Sequence, residues 1–468
     1  MIKFQAYLGP IAAGIAFLAA FGFFQFFYPY HLMRREQQTL FLFDWDYICQ
    51  TYRGAGWLVR FVCDFVDQFF HLPVVGPVVV ALALVGIGAA AYRICRHFMG
   101  KWPSLAVGAA FFVWSFFRET ENLYSTRYTL VMLGYLGLVL AAFQFKKAWA
   151  KAGAAAVLLA FGAWALGTPV HQYYGKLWGT PILSYDKVIG LDTECDRENW
   201  DKVIRQSKKD LHMTEASYCY NLAYAKKGML SHELLNHSEK YSNSLLLWIH
   251  TDKSVFSNCL AGEAWFQLGD MTLAEQSAII ALQASPKHSG ARYVRRMARV
   301  NLISGEYGAA QKYLGLLSKT LFYGKWARHW LAAIEDGSAD ETLGVTRTKL
   351  AFSDFVYSTN VSLRKVLLGL LEADPDNAMA REYLLCYDLL NGDLDRFIED
   401  YTPNRISAPL YHEAILIWLV QNDRLSEDEA GLWGVSPATL DRLNRFFQRP
   451  EKYKNTYWYY YTDKTSDE

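Results

Sequence analysis

The sequence predicts an all-α protein in two parts, an N-terminal bundle of about five transmembrane helices and a soluble α-solenoid of TPR-like (tetratricopeptide-like) repeats. The first observation is an uneven charge distribution. Residues 1–170 contain 13 basic and 7 acidic side chains, whereas residues 171–468 contain 34 and 39. The second is a series of long apolar runs in the first part, and the third is a degenerate helical repeat in the second part.

The overall composition limits the class of partner. The 468 residues have a net charge of +1 and a charged fraction of 20%. A balanced charge argues against a polycation that binds nucleic acid, and the low charged fraction argues against a disordered chain. The expected partners are therefore a lipid bilayer and a protein or peptide, with no nucleic acid.

Five apolar runs are candidate spans, because about 20 apolar residues cross a bilayer as a helix. They cover residues 7–29, 72–92, 102–117, 128–145 and 152–167. The third and fifth are short and need neighbouring helices or long flanking side chains to match the bilayer. The first is too long and too aromatic for a cleaved signal peptide.

Basic residues near the span ends predict the orientation. Three groups without an intervening acid lie on one side of the bundle: Lys3, then Arg93, Arg96 and Lys101, then Lys146, Lys147 and Lys151. Positive charge next to spans stays in the cytoplasm. The N-terminus is therefore expected inside, and the chain after Gly167 outside.

The loop between the first two spans contains two features. Residues 56–71 place aromatic and aliphatic side chains about four apart, which predicts an amphipathic helix that lies in the membrane interface or packs across the bundle. Before it lie Asp44 and Asp46, a D-x-D pair on the outer side. Such carboxylates can bind a divalent metal on a pyrophosphate or act as a general base. The alternative is a solvated loop beside the membrane.

The second part of the chain, residues 201–445, follows a linker at 171–200 and contains the repeats. Ala261, Gly262 and Ala264, then Gly269, then Ala274, Ala278 and Ala281, match the small residues where two helices of a TPR hairpin touch. Weaker copies occur near Gly228, Gly305 and Gly392. Stacked hairpins of this kind form a solenoid whose concave face binds partners.

Several stretches resemble a known family. They are Asn221–Gly228, Tyr307–Leu314, Thr320–Tyr323 with Trp326 and Ala327, and the tail Thr456–Tyr461. Together they resemble an uncharacterised family of Bacteroidota multi-pass membrane proteins with TPR-like C-terminal regions. The resemblance implies an inner-membrane location with the repeats in the periplasm, and it implies no activity or cofactor.

A candidate binding surface lies in one of the repeats. Arg292, Arg295 and Arg299 correspond to TPR positions that face the groove, and their spacing places them on one helix face. The forked guanidinium suits carboxylates, so this basic stripe predicts an acidic peptide or protein ligand. The alternative is a solvated face whose charges are neutralised by acids of a neighbouring helix, such as Glu263.

Other motifs predict no metal or cofactor. His232, Glu233 and His237 form H-E-x-x-x-H, in which the second histidine points away from the first, so no zinc site is expected. The cysteines lack a C-x-x-C pair. Cys219, Cys259 and Cys386 are expected to pack in helices, and the pairing of a disulfide among these and Cys195 stays open.

The tail at 446–468 contains five consecutive aromatics, Tyr457 to Tyr461. It is expected to cap the last repeat or to touch the bilayer. The preferred function is a membrane-anchored periplasmic scaffold. The alternative is a glycosyltransferase-like membrane enzyme that acts on a lipid-linked or envelope glycan through Asp44 and Asp46.

Overall fold

The structure is a computed structural model that describes most of the chain. It covers residues 2–54, 56–121, 126–145, 181–208, 213–236, 255–285, 288–350, 362–402 and 407–466, with 147, 149–150, 152–158, 160, 244–245 and 249 between them. Across these ranges all regular secondary structure is helical, which confirms the all-α prediction. The chain divides into two units. Unit 1 is Met1–Ile189, Ser289–Arg292 and Leu316–Ala327, and unit 2 is Gly190–His288, Tyr293–Gly315 and Arg328–Glu468.

Unit 1 contains seven helices within the described part of residues 1–145, and its core forms where the first of them meets the fifth. The helices are α1 (Ile2–Gly22), α2 (Pro29–Gln37), α3 (Trp45–Thr51), α4 (Trp57–Asp67), α5 (Val75–Cys95), α6 (Lys101–Glu119) and α7 (Thr126–Ala142). A π-helical segment, Phe23–Phe27, extends α1, and a 3₁₀ turn, Gln68–His71, extends α4. The buried core side chains are Ala20, Phe24, Tyr28, Leu32, Phe70, Val80, Ala81 and Leu84.

Two helices of unit 1 are long and apolar enough to cross a membrane, Gly9–Phe27 and Val75–Cys95. They correspond to the first two predicted spans. The third falls on α6, and the fourth falls on a shorter apolar helix, Tyr128–Ala142. The predicted fifth span, 152–167, is helical at its described residues, 152–158 and 160, and the rest of it lies outside the described residues. The five-span bundle is therefore not confirmed.

The α4 helix and its 3₁₀ extension occupy the predicted amphipathic segment, and the polar side is the buried one. Asp64 and Gln68 are 6% and 2% exposed, whereas Leu58 and Val62 are 55% and 40% exposed. A helix on the surface of a soluble protein shows the opposite arrangement, with apolar residues inside. This inversion makes the outer face of α4 apolar.

Glycines set the contact between α5 and α6. A Cβ on Gly108 would lie 2.8 Å from the carbonyl oxygen of Gly88 and 3.0 Å from Cβ of Tyr92. Real Cβ atoms do not approach a backbone oxygen so closely. The two helices can therefore pack this closely because neither Gly88 nor Gly108 has a side chain.

Unit 2 is built from short helices joined by tight turns. Those within its described residues are Trp200–Ser207, Thr214–Lys226, Leu230–Glu233, Val255–Leu268, Met271–Ala284, Ala291–Ser304, Tyr307–Ser318, Gly324–Glu335, Ser338–Arg347, Leu363–Ala373, Ala378–Asn391, Leu394–Asp400, Pro409–Gln421, Glu427–Leu432, Pro437–Gln448 and Tyr457–Ser466, with 3₁₀ turns at Leu234–Asn236 and Pro450–Tyr453. Some of these helices begin or end in unit 1. Before them lies Leu183–Asp196, a helix within the region 171–200 that the sequence analysis assigned as a linker.

The helix pair Val255–Leu268 and Met271–Ala284 contains the predicted small residues. Gly269 adopts φ +100°, which a residue with a side chain rarely does, and Asp270 caps the second helix by accepting from the N–H of Leu273 at 2.9 Å. The contact surface is made of alanines that are at most 5% exposed: Ala261, Ala264, Ala274, Ala278 and Ala281. A Cβ on Gly262 would collide with the side chain of Ser277.

The aromatic tail forms the helix Tyr457–Ser466 and packs on unit 2. Tyr457 and Trp458 are 1% and 0% exposed. The N–H of Tyr457 donates to the carboxylate of Glu413 at 2.8 Å, and the indole N–H of Trp458 donates to the Glu413 carbonyl at 2.9 Å. Of the two predictions for the tail, the geometry matches the capping of the helical array.

Candidate functional site

The candidate site in unit 1 is a cluster of buried polar side chains on α2, which directly follows the first span. Pro29 lies in its first turn, where a missing N–H is tolerated, and Arg34 and Arg35 lie in its last turn, where cations stabilise a helix end. His31 and Glu36 are only 4% and 2% exposed. Buried ionisable groups need partners, and these partners define the site.

The first set of partners joins α2 to α6 and α7. The guanidinium of Arg35 donates to the carboxylate of Glu119, which is fully buried, and to the hydroxyl of Thr126 at 2.7 Å. The hydroxyl of Thr129 donates to the second carboxylate oxygen of Glu119. Both oxygens of this carboxylate are therefore hydrogen-bonded, as a buried charge requires.

His31 extends this network. Its Nε2 atom lies 2.8 Å from Nη2 of Arg35. Because a guanidinium can only donate, this nitrogen of His31 accepts, so its proton is on Nδ1. The backbone N–H of His31 donates to the carboxylate of Asp186 at 2.7 Å.

Asp186 is a further buried carboxyl of this cluster. It is 2% exposed, and burial raises the pKa of its carboxyl to about 7, although the backbone N–H groups of His31 and Tyr30 stabilise the charged form. A neighbouring contact holds the same region together, since the guanidinium of Arg34 donates to the hydroxyl of Tyr185 at 2.6 Å.

A second set of contacts surrounds Glu36. The hydroxyl of Tyr323 donates to its carboxylate at 3.0 Å, and Nδ1 of His71 lies 3.7 Å away. The ring of His71 stacks on Phe322 with centroids 4.8 Å apart. The segment Leu316–Ala327 of unit 1 thus contributes an aromatic pair to the cluster.

Asp44, the first residue of the D-x-D pair, is already paired on both oxygens. One oxygen accepts from the N–H of Tyr47 at 3.0 Å and caps α3. The other lies 2.6 Å from Nζ of Lys319, and this contact lowers the pKa of the carboxyl. Asp46 is exposed in the first turn of α3. Asp44 therefore serves as a helix cap and a salt-bridge partner in this structure.

The arginines predicted to form a basic stripe are largely neutralised or buried. The guanidinium of Arg295 pairs with Asp196, and that of Arg299 lies 2.8 Å from Glu198. Arg292 is 7% exposed, and its Nη1 lies 3.4 Å from the amide oxygen of Gln37. Acids from an earlier helix and its following turn thus reach the same face, and a partner-binding role of the three arginines stays a prediction.

A second buried arginine of the helix Ala291–Ser304 is Arg296, which the sequence interpretation overlooked. It pairs with Glu263 and lies 3.6 Å from Asp196, and its guanidinium stacks 4.0 Å from the ring centroid of Phe266. Burial lowers its pKa, while the two acids favour its charged form. Glu263 thus pairs with Arg296 rather than with a member of the predicted stripe.

Within the described ranges, no three His, Cys, Asp or Glu side chains are arranged to hold a metal ion. His232 lies in the short helix Leu230–Glu233, and His237 lies outside the described residues. Arg35 and Glu119 were not among the residues predicted from the sequence to form a site. The available signal was an acidic residue at the end of an apolar run, where a charge needs a partner.

Comparison with known proteins gives one family. A family model described as "Family of unknown function (DUF6057)" matches residues 4–177 and 171–464. No curated protein and no solved structure matches the chain.

Proposed function

The chain belongs to the family of unknown function DUF6057, and we propose that it is a membrane-anchored, non-enzymatic scaffold. In this proposal unit 1 anchors the chain in the inner membrane, and unit 2 binds a protein or peptide in the periplasm through TPR-like helical repeats. The observation that carries the proposal is the saturation of the carboxylates in unit 1. Glu119 and Asp44 each have both oxygens hydrogen-bonded or ion-paired.

A saturated carboxylate is suited to holding helices together and poorly suited to chemistry. A general base needs a free lone pair toward the substrate, and a metal ligand needs an oxygen that faces the ion. Glu119 is 0% exposed and directs its oxygens to Arg35, Thr126 and Thr129. Its role here is to fix α2 against α6 and α7.

The distribution of apolar surface supports the membrane anchor. Along α1 and its π-helical extension, Ile15, Leu18 and Phe26 are 64%, 67% and 73% exposed. Contiguous apolar surface on this scale is typical of a membrane or protein contact. The inverted α4 helix adds Leu58 and Val62 on the same unit. Lipid around these helices would bury both sets.

The basic clusters at Arg93–Lys101 and Lys146–Lys151 support the orientation, with the chain after them outside the cytoplasm. A reporter that is active only in the periplasm tests it directly. The same reporter is fused after Glu468 and, as the matched fusion, after Gly100. We expect activity at Glu468 and silence at Gly100, and the reverse result at either site would overturn the topology.

Partner binding is tested by purification in mild detergent and mass spectrometry of the proteins recovered. Unit 2 exposes large apolar side chains, among them Leu432 at 76% and Phe447 at 55%. The scaffold proposal expects a stoichiometric protein partner that Leu432→Asp or Phe447→Asp removes. The variant Asp46→Asn, in the exposed first turn of α3, serves as the control and is expected to retain the partner.

The alternative is a membrane enzyme that acts on a lipid-linked or envelope glycan. Its one favourable observation is the exposure of Asp46 beside Trp45, which is 76% exposed. The double variant Asp44→Asn with Asp46→Asn separates the two functions. Normal protein levels with complete loss of function in a complementation assay would establish the enzyme, because loss of catalytic carboxylates typically costs orders of magnitude in rate.

A further inference from the structure

Unit 1 contains a groove between α1, α5 and α6, with a volume of about 340 Å³. Sites that bind small molecules typically enclose about 300–1,000 Å³. On each helix the lining residues recur every three or four positions, so one face of each helix borders the groove. Most of the lining side chains are small, among them Gly9, Ala13, Ala16, Gly88, Ala89 and Ala109.

The groove lies where α1 changes from large to small side chains. Toward the C-terminal end of this helix, Phe17 and Phe21 pack against the buried core of unit 1. Between residues 9 and 16, the residues of α1 that line the groove are glycine, proline and alanine. The helices α5 and α6 already touch at the pair of glycines described above, so they border the space without filling it.

The groove opens at the surface of unit 1. Val113 of α6 is 41% exposed, and Ala89 and Ala109 are exposed as well. Along α5 the lining extends from Val85 to Arg93, which is about 12 Å at 1.5 Å per residue. This is less than half of the hydrocarbon core of a bilayer, which is about 30 Å thick. In the membrane anchor proposed above, the groove therefore faces the acyl chains of one leaflet.

A cation lies at one end of the groove. Arg93, in the last turn of α5, is the one charged residue of the described lining, and its guanidinium makes no hydrogen bond or ion pair with another described residue. Arg96 and Lys101 follow it in the sequence, and no Asp or Glu occurs in residues 1–35 or 68–118. The acid of α6 is Glu119, at its other end. The charge at this end of the groove is therefore positive.

We propose that this groove binds an anionic phospholipid, with an acyl chain along the small residues and the phosphate at Arg93. A guanidinium can donate two parallel hydrogen bonds to phosphate oxygens, which suits arginine to this group. Basic pockets between membrane helices on the cytoplasmic side bind anionic lipid head groups. The proposal rests on the membrane anchor proposed above, because these helices meet phospholipids only within a bilayer.

A second copy of the chain is a poorer occupant of the groove. Two copies that meet through this face would form a symmetric contact, with the same patch on both chains. Such a contact would bring two Arg93 side chains and their basic neighbours to one interface. Like charges repel, and the repulsion is stronger where water is scarce. A lipid phosphate supplies the opposite charge instead.

Native mass spectrometry of the full chain, purified in mild detergent, tests the proposal. The protein is titrated with a phosphatidylglycerol, which is anionic, and with a phosphatidylcholine of the same acyl chains, which has no net charge. We expect one phosphatidylglycerol per chain. It is expected to bind about tenfold more tightly than the phosphatidylcholine, because the choline cation opposes Arg93.

The first pair of variants tests the apolar part of the groove. Gly9→Leu places a side chain in the groove, and nothing lies within 4 Å of the Cβ position of Gly9, so the helix has room for the change. It is expected to weaken the binding of both lipids by about tenfold or more, because the new side chain occupies the path of the acyl chain. Gly14→Leu is the matched control, since its Cβ position is equally open and Gly14 does not line the groove.

The second pair of variants tests the head group, and it keeps the test decisive if Gly9→Leu fails to fold. Arg93→Gln removes the cation and is expected to lower the affinity for phosphatidylglycerol about tenfold, to that for phosphatidylcholine. Lys147→Gln removes one positive charge from an exposed residue outside the groove. This control is expected to leave both affinities unchanged.

Three results would overturn the lipid site. They are equal binding of the two lipids by the wild type, unchanged phosphatidylglycerol binding in Gly9→Leu or in Arg93→Gln, and a dimer that Gly9→Leu separates, which would place a second copy in the groove. Extraction with alkaline carbonate separates this failure from failure of the membrane anchor. A wild-type chain that carbonate extracts completely would overturn the anchor, whereas a resistant chain that binds no phosphatidylglycerol would overturn the lipid site alone.

Discussion

Arg35 on α2 and Glu119 at the end of α6 hydrogen-bond to each other in unit 1, although 84 positions separate them in the sequence. Glu119 is fully buried, and the Arg35 side chain is 12% exposed. Thr126 and Thr129 at the start of α7 complete the coordination of the same carboxylate. One ion pair thus fixes three helices at the end of the apolar bundle.

Removing one partner of this pair is expected to be severe. Glu119→Ala leaves the guanidinium buried without its counter-charge, which typically costs about 3–5 kcal/mol of the free energy of unfolding. The double variant Arg35→Met with Glu119→Leu removes both charges and is expected to recover at least half of that loss. Thermal unfolding in detergent measures both, with Asp46→Ala as the exposed control. A cost below about 1 kcal/mol for Glu119→Ala would contradict the structural role.

The helix pair of unit 2 offers a second test. In Gly262→Ala the new Cβ would lie 2.9 Å from Cβ of Ser277, and overpacking of this kind typically costs about 1–3 kcal/mol of the free energy of unfolding. Gly315→Ala is the matched control, because nothing lies within 4 Å of its Cβ position. The control is expected to stabilise by up to about 1 kcal/mol, since alanine favours helix. Denaturant titration of the full chain measures both.

Ser277→Gly supplies the complementary change for this contact. Combined with Gly262→Ala it removes the colliding atoms, so the double variant is expected to lose less stability than the sum of the two single variants. Additive losses would show that the two helices do not meet at Gly262 and Ser277.

A pH dependence is expected from Asp388, which is 1% exposed on the helix Ala378–Asn391. Burial raises the pKa of its carboxyl to about 7, although Arg364 lowers it, and Asp400 and Asp393 raise it further. The folded state then binds a proton that the unfolded state releases near pH 4. The stabilisation from this group is complete below about pH 4 and is lost as pH rises to about 7.

The measurement is the free energy of unfolding of the full chain between pH 5 and pH 7. Asp388 is expected to contribute a fall of up to about 1 kcal/mol per pH unit, and Asp388→Asn is expected to remove that contribution. Asp423→Asn, at an exposed turn after the helix Pro409–Gln421, is the control and should retain the wild-type slope. An unchanged slope in Asp388→Asn would show that its carboxyl is ionised throughout.

Local patterns in the sequence predicted the elements whose periodicity is strong. The α4 helix has apolar residues about four apart, and the pair Val255–Leu268 and Met271–Ala284 has small residues at its contact. The helix Leu183–Asp196 was not predicted, because polar residues are buried on it along with apolar ones. Asp192 and Thr193 are 2% and 0% exposed, so its sequence lacks an apolar stripe.

The helix Leu183–Asp196 also explains why the acidic partners of the arginines were not predicted. The spacing of Arg295 and Arg299 places them on one face, and this is a property of the local sequence. Their partners Asp196 and Glu198 come from the end of Leu183–Asp196 and the turn after it, about 100 positions earlier. Because residues 171–200 were assigned as a linker, the sequence interpretation placed none of their acidic side chains next to that face. Pairing over such a separation follows from the tertiary fold and not from spacing.

The apolar outer face of α4 leads to the last prediction. Val62 is 40% exposed on α4, and Val345 is 73% exposed on the helix Ser338–Arg347 of unit 2. In water, a polar substitution at an exposed position changes the free energy of unfolding by less than about 0.5 kcal/mol. In lipid, a charge near the centre of the bilayer costs about 2.5–3.5 kcal/mol, and less near the interface. Val62→Asp is therefore expected to reduce the amount of chain that resists extraction from membranes with alkaline carbonate, while Val345→Asp leaves it unchanged.

The total amount of each variant is measured in parallel, so that loss of insertion is separated from loss of expression. Equal carbonate resistance of both variants at equal levels would place the apolar face of α4 against protein or water and would remove it from the membrane anchor.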